Sequence, residues 1–372
     1  MRYGLRLRPR DADANNDIQP IAESGGDVFH QIDITTDART AIDYEAMTGF
    51  GEIASIAPEW DRLLERSRCN RATSCSKWYL ATPRLLPELR PLVLVARRGA
   101  QIAGLLPLWL DDHRKDAGFP DDFSDHLDII APDEDPEVVI GLLNFAIRRS
   151  GEYVRLVLPH LKPDSNCVKG ARALGLFKEE SFSPARSLSY AVLDLSAGYD
   201  AYMKTLGRKF RLNLNRVRHK AQREGLVVRE LKPESFDPGQ IPELFLSLHG
   251  SRFGAGTSLQ SVSDSPEDWI HHLFPSLFTE GRMRVFAVLY EDRIAGIDLT
   301  MVGRSGMYAW NGGFLPDLKP FDPGKLLIRQ AIEESCREGL TEYDLGWFGQ
   351  EYKAHWKPAI RQIGELRFDT SS

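Results

Sequence analysis

The sequence predicts an α/β (α+β) fold made of two related units, each with a mixed central sheet flanked by helices. The first observation is the order of elements between Arg284 and Leu345, where three strand-like segments precede a helix and a fourth strand. The second is that part of this order occurs earlier in the chain, around the same tripeptide. A repeated order of elements indicates a structural duplication.

The C-terminal half has the clearest pattern of strands and turns. Its segments are rich in β-branched and aromatic residues and are separated by short polar turns, which is typical of an antiparallel meander. The expected strands are residues 284–290, 293–301, 307–313 and, after the helix, 342–345.

The helix expected at residues 322–339 has clear start and stop signals. Asp322 suits the N-cap, Pro323 the first turn, and Gly339 the position past the last turn. Free N–H groups and the helix dipole favour an anion at such a start, and Gly324 would let a phosphate approach the backbone closely. An ordinary capped helix packed on a sheet explains the same pattern.

An earlier hairpin is expected at residues 91–98 and 101–109. The tripeptide Ile-Ala-Gly stands at residues 102–104 and again 192 residues later, each time just after a strand and a tight polar turn. A helix at residues 136–149 and a strand at 153–158 follow this hairpin, as a helix and a strand follow the second one.

The limits of the units come from composition. Residues 1–45 are polar, rich in Asp and Asn and without periodicity, which predicts a disordered tail. Residues 46–194 are the expected N-terminal unit and residues 195–372 the C-terminal unit. In the acidic loop of the N-terminal unit, the segment Asp125-His126-Leu127-Asp128 is expected to face a cleft, because Leu127 and residues 129–130 anchor this part of the loop.

Composition and charge argue against several classes of protein. The chain has 372 residues, 42% of them hydrophobic, and a net charge of −6. This acidic balance argues against a general DNA or membrane-surface binder. Four scattered cysteines fit a reducing compartment, and no apolar run is long enough to span a bilayer. We expect a cytoplasmic protein with no signal peptide, membrane span, DNA partner or metal ion.

A basic helix with one apolar face is predicted at residues 199–225. Arg208, Arg211 and Arg218 lie on one side and could meet a phosphate-rich partner, but a solvated basic surface explains them as well. Only Phe210 interleaves with the charges, and the apolar face accounts for it. A tRNA partner is therefore not expected.

Two strands of the meander carry polar residues. If Val302 pairs with Met307, Asp298 lies opposite Asn311 on the same face of the sheet. A carboxylate beside an amide suits a general base with its orienting partner, and a hydrogen-bonded polar pair on an exposed face is the alternative. Tyr308 would face the other way, as a proton donor or as a packing residue.

Lys353 follows the strand that carries Asp344, and its neighbours Tyr352 and Trp356 are spaced as one apolar face. A lysine in this position could bind a phosphate, a substrate carboxylate or an oxyanion. From the residues alone, an exposed surface lysine is the alternative.

The C-terminal half resembles the GNAT-type acetyltransferase domain of bacterial proteins associated with cellulose and exopolysaccharide biosynthesis, a group similar to the FemABX transferases. The resemblance covers residues 195–358, and its most specific part is the closing pattern of Asp-x-Gly, Tyr-Lys and Trp. The matching residues are Tyr202, Leu206, Lys209, Arg211, Ile294, Ala295, Gly296, Tyr308, Gly312, Gly313, Phe314, Pro323, Gly324, Asp344, Leu345, Gly346, Tyr352, Lys353 and Trp356. Looser matches before them are Trp60, Ser74, Trp78, Pro107, Leu108, Ser124, Asp125 and Asp128.

This resemblance implies two tandem GNAT-like units, with acetyl-CoA or another acyl-CoA bound at the C-terminal unit. The N-terminal unit would help to shape the cleft for a small-molecule or sugar-linked acceptor. Together with the residues themselves, it assigns three kinds of role. They are catalytic for Asp298, Tyr308 and Lys353, donor-binding for Pro323, Gly324 and Lys325, and substrate-binding for Asp125, Arg211, Asn311, Asp344 and Tyr352.

One departure from GNAT enzymes leaves the donor open. Their glycine-rich pyrophosphate loop is reduced here to residues 322–325. FemABX relatives take aminoacyl-tRNA instead of acyl-CoA, and the basic helix would then be the RNA contact. A non-catalytic accessory protein of a polysaccharide-synthesis complex is the other alternative.

Overall fold

A computed structural model describes residues 41–69, 71–120, 125–132, 135–149, 151–182, 188–253 and 266–370. Within these residues, twelve strands form one continuous mixed sheet with helices on both faces. This confirms the predicted α/β class. Residues 1–40, which hold most of the expected tail, and Ser124 lie outside the described residues.

The first half of the chain contains the predicted hairpin, followed by a short strand, a helix and a further strand. In chain order its elements are β1 (Asp43–Met47), α1 (Phe50–Ser55), α2 (Ala57–Glu65), α3 (Ser76–Ala81), β2 (Arg90–Arg98), β3 (Gln101–Asp111), β4 (Asp116–Gly118), α4 (Pro136–Ile147), β5 (Arg155–Leu161) and α5 (Asn166–Ala173). Strand β4 is antiparallel to β3 and parallel to β5.

The second half repeats this arrangement in its meander, helix and following strand. Its elements are β6 (Leu188–Asp194), α6 (Tyr199–Thr205), α7 (Arg208–Arg223), β7 (Val227–Leu231), α8 (Ile241–Phe253), α9 (Pro266–Thr279), β8 (Met283–Tyr290), β9 (Arg293–Val302), β10 (Gly306–Phe314), α10 (Pro323–Arg337), β11 (Glu342–Trp347), α11 (Glu351–Ala354) and β12 (Ala359–Asp369). Strand β10 is antiparallel to β9 and parallel to β11, so the predicted β-β-β-α-β order is confirmed.

The repeated tripeptide has the same structural role in both hairpins. The pairing register shifts by one residue at Ala103 in β3 and at Ala295 in β9. Each alanine is therefore the extra residue of a β-bulge, which bends the strand and increases its twist. In β3 the next residue is a glycine for a steric reason, because a Cβ at Gly104 would lie 2.3 Å from Val138 Cγ1.

The strand order across the sheet is β1-β2-β3-β4-β5-β12-β6-β11-β10-β9-β8-β7. Strand β6, expected within the N-terminal unit, pairs instead with β11 of the C-terminal half. Strand β12, which was not predicted, pairs with β5 on one side and with β6 on the other. The last strand of the chain therefore completes the N-terminal half of the sheet.

Two further predictions about local structure are corrected. The first strand begins at Asp43, inside the stretch expected to be a tail, because it pairs with β2. The basic segment forms two helices rather than one, since Leu206 and Gly207 between α6 and α7 have extended backbone with ψ values of 149° and 138°. Glycine is a poor helix former, and the break lets the Leu206 side chain be buried.

One buried apolar cluster joins the two halves of the chain. Helices α2 and α3 pack in it together with α8, α9 and the facing side of β8 and β9. At its centre Trp78 lies edge-on against Trp269, with ring centroids 5.0 Å apart. Among the described helices, none has the length and apolar character needed to cross a bilayer. The described side chains also form no group of three potential metal ligands.

Candidate active site

The two parallel strands β10 and β11 are paired over only a short length. The pairing covers residues 306–308 and 342–344, although β10 continues to Phe314. A bulge at Trp310 in β10 and a left-handed Gly346 in β11, with φ at 75°, turn the two strands apart. We call the place where β10 and β11 separate the gap. Because side chains alternate across a sheet, consecutive residues at the gap face opposite sides of the sheet.

A cavity of about 420 Å³ opens on the side of the gap that faces α10, and we call it the α10 cavity. Ala309 of β10 and Leu345 of β11 line it at the gap. The structure brings together here five residues to which the sequence analysis assigned a catalytic or binding role. They are Asp298, Pro323, Gly324, Lys325 and Tyr352.

The start of α10 forms one wall of the α10 cavity. Asp322 is the N-cap residue, but it has a left-handed backbone (φ 46°, ψ 56°) and its side chain does not cap the helix. Its carboxylate instead accepts a hydrogen bond from Lys325 Nζ at 3.0 Å, and Lys325 also donates to Asn213 of α7 at 3.2 Å. A Cβ on Gly324 would meet open space, so the first turn of α10 is accessible from the cavity.

Asp298 lies on the wall of the α10 cavity formed by β9. Burial raises the pKa of its carboxyl to about 7, although Arg252 and the Thr300 hydroxyl lower it in part. A carboxyl with this pKa exchanges protons readily near neutral pH. Burial also raises the pKa of the neighbouring Tyr352 to about 12.

The predicted pairing of Asp298 with Asn311 is wrong. The pairing of Val302 with Met307 is as expected, but the bulge at Trp310 shifts the register by one residue, and Asp298 lies opposite Gly312. Asn311 pairs with Leu299 and therefore faces the other side of the sheet, where its side-chain oxygen accepts from the Gly312 N–H.

A second cavity, of about 570 Å³, lies where the two halves of the sheet meet, and we call it the junction cavity. Residues from both halves of the chain line it. Its charged and polar lining includes Arg68, His126, Asp128, Lys162, Arg304, Tyr308, Glu342 and Arg361. Because Tyr308 and Ala309 are consecutive, the junction cavity and the α10 cavity lie on opposite faces of β10 at the gap.

Tyr308 faces the junction cavity from β10. It pairs with Met301 in the sheet and faces away from Asp298, as the sequence analysis expected. The Lys162 ammonium group lies over its ring, 5.0 Å from the centroid. Burial raises the pKa of Tyr308, while the charge of Lys162 opposes this shift.

Asp344 is buried behind His126, with only 2% of its surface exposed. Its Oδ2 atom lies 3.2 Å from His126 Nε2, and its Oδ1 atom accepts a hydrogen bond from the Gly346 N–H at 2.7 Å. Asp344 therefore contacts a histidine of the N-terminal half rather than an open cavity. Asp344 lines neither described cavity, so its role as a direct substrate contact stays a prediction.

Lys353 is a buried lysine, with 6% of its surface exposed, so the surface-lysine alternative is wrong. Its Nζ donates to the Trp347 carbonyl oxygen at 2.7 Å, at the end of β11. Burial lowers the pKa of Lys353 to about 8, and the charge of Asp344 opposes this shift. Trp356 is fully buried beside the same short helix.

Asp125 belongs to a polar group next to the junction cavity. Its carboxylate accepts a hydrogen bond from Tyr190 at 2.8 Å and lies 3.2 Å from His160 Nδ1. Partial burial opposes the shift, but the neighbouring rings of His160 and His126 lower the pKa of Asp125 to about 2. Asp125 therefore acts as an anchor for its loop.

Arg211 does not line either described cavity. Its guanidinium donates to the Lys204 carbonyl at 3.0 Å and so binds the end of α6. Lys162 and Arg252 do line the cavities, but sequence reasoning missed them. His126 also lines the junction cavity. It belongs to the loop segment that was expected to face a cleft, although no role was assigned to it.

Comparison with known proteins finds a family domain in part of the chain and solved structures with a similar fold. Residues 208–354 match the family model described as an acetyltransferase (GNAT) domain. FemX has a similar structure, with a TM-score of 0.60 and 14% identity over 87% of this chain and 97% of that one. L-PGS from Bacillus licheniformis has a TM-score of 0.53 and 14% identity, over 84% of this chain and 90% of its own. No curated protein sequence matches the chain.

At these identities the structural likeness shows the fold alone. The family model covers the basic helix α7, the meander, α10 and the segment that carries Asp344 and Lys353. The chain therefore contains a GNAT-type acetyltransferase domain at residues 208–354, within a mixed α/β fold that is similar to FemX over most of its length.

Proposed function

We propose that the protein is an acyltransferase that moves an acyl group from acyl-CoA, such as acetyl-CoA, to an amine or hydroxyl of an acceptor. The observation that carries this proposal is the pair of cavities on opposite faces of the sheet at the gap between β10 and β11. The donor would enter from the α10 cavity and the acceptor from the junction cavity. The two would meet at the gap.

The α10 cavity suits a donor that carries phosphate groups. In the first turn of α10, Pro323 has no N–H and the Lys325 N–H donates to the Asp322 carbonyl at 2.9 Å. The Gly324 N–H is therefore the donor left for an anion at the positive end of the helix dipole. Gly324 leaves this turn uncovered, and Lys319, Lys325 and Arg252 supply positive charge around the cavity. The bulge at Trp310 opens the strand beside which the thioester would lie.

The residues near the gap suit the chemistry of acyl transfer. Attack on the acyl carbon places negative charge on its oxygen, and a fixed positive group stabilises that charge. Lys353 is the candidate for this role because its buried ammonium group is held at the end of β11. Asp298, whose pKa is raised to about 7 by burial, is the candidate that returns a proton to the leaving sulfur.

The junction cavity suits a small polar acceptor. Its volume of about 570 Å³ fits a sugar or a molecule of similar size, and its lining carries charges of both signs. We therefore propose a small-molecule or sugar-linked acceptor, with polysaccharide biosynthesis as the proposed setting.

One observation also favours an aminoacyl-tRNA donor. The basic helix α7 borders the α10 cavity, since Phe210 lines the cavity and Asn213 accepts from Lys325. Exposed Arg208, Lys209 and Arg216 continue from this border along the helix. CoA and tRNA both carry phosphates, so the two donors have to be separated by experiment.

The test of the donor is calorimetric titration with acetyl-CoA. We expect Gly324→Val to weaken binding by at least about tenfold, because a branched side chain blocks close approach of a phosphate to the Gly324 N–H, and one charged hydrogen bond contributes ~1.5 kcal/mol or more. Gly51→Val is the matched control, since Gly51 is also the second residue of its helix and also faces open space.

Three outcomes distinguish the candidates. Unchanged affinity in Gly324→Val would contradict the assignment of α10. Salt-sensitive tRNA binding that is lost when Arg208, Arg211 and Arg218 are neutralised would favour the aminoacyl-tRNA donor, because phosphate contacts release counterions. Binding of neither donor would favour a non-catalytic accessory protein.

A further inference from the structure

His126 occupies an unusual position on the wall of the junction cavity. Its backbone has a φ of 66°, a left-handed conformation that residues other than glycine rarely adopt. Hydrogen bonds fix both the backbone and the side chain of the neighbouring Asp125. Its carbonyl accepts from the Thr73 hydroxyl at 3.1 Å, and its carboxylate accepts from Tyr190. Backbone strain that the surrounding structure maintains often positions a functional side chain.

The two ring nitrogens of His126 have different surroundings. Nε2 lies 3.2 Å from the buried carboxylate of Asp344. Nδ1 is buried and has no hydrogen-bond partner among the described residues. A neutral imidazole carries one N–H, and a carboxylate beside Nε2 favours the form in which Nε2 carries it. Nδ1 then has a free lone pair.

Charged and aromatic groups surround the ring on several sides. The carboxylates of Asp344 in β11 and Asp125 in the same loop lie near the ring, and Lys162 lies over Tyr308 on another side. Tyr190 and Tyr308 confine the ring, with centroid distances of 5.2 and 5.0 Å.

We propose that His126 is the general base that takes a proton from the acceptor, with Asp344 as the positioning residue that orients its ring. This inference rests on the proposed acyl transfer and extends it to the acceptor side. It also gives the N-terminal half of the chain a role in catalysis, because His126 belongs to that half and Asp344 lies in the GNAT domain.

His126 Nδ1 takes a proton from the acceptor ammonium or hydroxyl, and the freed electron pair forms a bond to the acyl carbon of the thioester. An amine nitrogen releases one further proton to water as the amide forms. The carbon–sulfur bond then breaks with its electron pair on sulfur, which takes a proton from the Asp298 carboxyl. The products are an amide or ester and free CoA, and the two side chains exchange their protons with water.

The activity test compares two acceptors with acetyl-CoA as donor, and the released thiol is measured. Glucosamine is largely protonated at neutral pH, so a base must remove a proton before its nitrogen can attack, whereas hydroxylamine is largely unprotonated and attacks without this step. We expect His126→Gln to lower turnover with glucosamine by about 10²-fold or more and to affect hydroxylamine much less. His113→Gln, an exposed histidine after β3, is the control and should leave both rates unchanged.

The second measurement does not depend on the acceptor. Nitrogen-15 NMR of histidine-labelled protein, with His126 assigned by its absence in His126→Gln, reports which ring nitrogen carries the proton. We expect the proton on Nε2 and none on Nδ1. A proton on Nδ1, or equal losses with both acceptors in an active enzyme, would overturn the role of His126. If the wild-type protein neither binds acetyl-CoA nor releases free CoA from it, the proposed function is overturned, and the role of His126 is overturned with it.

Discussion

Lys353 shows how burial changes the behaviour of a single side chain. Its ammonium group is removed from most of the solvent, and its described hydrogen bond is to one backbone carbonyl, that of Trp347. Burial lowers its pKa to about 8, so the lysine is still largely charged at neutral pH. A charge held in this way is ready to stabilise developing negative charge without reorganisation of solvent.

We predict that Lys353→Met lowers turnover by about 10²-fold or more, because the positive charge near the gap is lost. Methionine keeps much of the bulk of the lysine stem, and removal of a buried charge offsets the lost hydrogen bond to Trp347. The free energy of unfolding should therefore change by no more than about 1–2 kcal/mol. Melting temperature and turnover are measured on the same preparation.

Lys357→Met is the control for this variant, since Lys357 is a nearby exposed lysine. It should keep both turnover and melting temperature. Full turnover in a folded Lys353→Met protein would exclude the proposed role of the charge.

The raised pKa of Asp298 leads us to predict that the stability of the protein depends on pH. Burial raises the pKa of its carboxyl from 3.8 to about 7, so the folded protein keeps a proton that the unfolded chain releases above 3.8. Stability is then lost as the pH rises from about 4 to about 7, since the folded state binds more protons across this range. Asp298→Asn lacks this contribution, and it should gain stability relative to the wild type as the pH increases.

Urea unfolding of both proteins at about pH 4.5 and about pH 7.5 measures this difference. We expect the free energy of unfolding of Asp298→Asn, relative to that of the wild type, to be larger at the higher pH. An equal difference at both pH values would indicate that Asp298 is ionised in the folded protein.

At the scale of elements, β12 pairs with strands from both halves of the sheet. Its first part, from Ala359 to Ile363, pairs with β6, and its second part, from Gly364 to Asp369, pairs with β5. One strand thus joins the two halves of the sheet. Because the apolar cluster of α2, α3, α8 and α9 also spans both halves, we expect them to unfold together.

We predict that Leu366→Ala destabilises both halves by about 2–5 kcal/mol, because it deletes a buried side chain from β12. Hydrogen exchange of peptides from β2 and from β10 should accelerate together. Ile360→Ala is the matched control, since this side chain of the same strand is 44% exposed, and it should cost less than about 1 kcal/mol. Loss of protection in β2 alone would contradict a single cooperative unit.

At the scale of the whole molecule, the duplication explains why the proposed site has two sides. The elements β2-β3-β4-α4-β5 and β8-β9-β10-α10-β11 have the same order and the same strand directions. The C-terminal copy has the accessible helix start at Gly324. The N-terminal copy contributes His126 and Lys162 to the junction cavity instead.

The sequence by itself determined the local features of this fold. The three strands of the meander, the start of α10 at Pro323 and the two Ile-Ala-Gly hairpins all follow from short-range signals. Strand propensity, turn residues and helix punctuation act within a few neighbours, so they can be interpreted from one sequence. The group of Asp298, Pro323, Gly324, Lys325 and Tyr352 was singled out on the same local grounds and with the help of a family resemblance.

Only the tertiary structure decided the features that depend on distant partners. The single-residue bulge at Trp310 placed Asp298 opposite Gly312 and moved Asn311 to the other face, because a one-residue shift reverses every side chain that follows in a strand. The place of β12 between β5 and β6 depends on pairing across long loops, which no local pattern encodes. The contact between His126 and Asp344 joins residues from opposite halves of the chain. Folding alone brings such residues together, because their proximity results from how the two halves of the sheet meet.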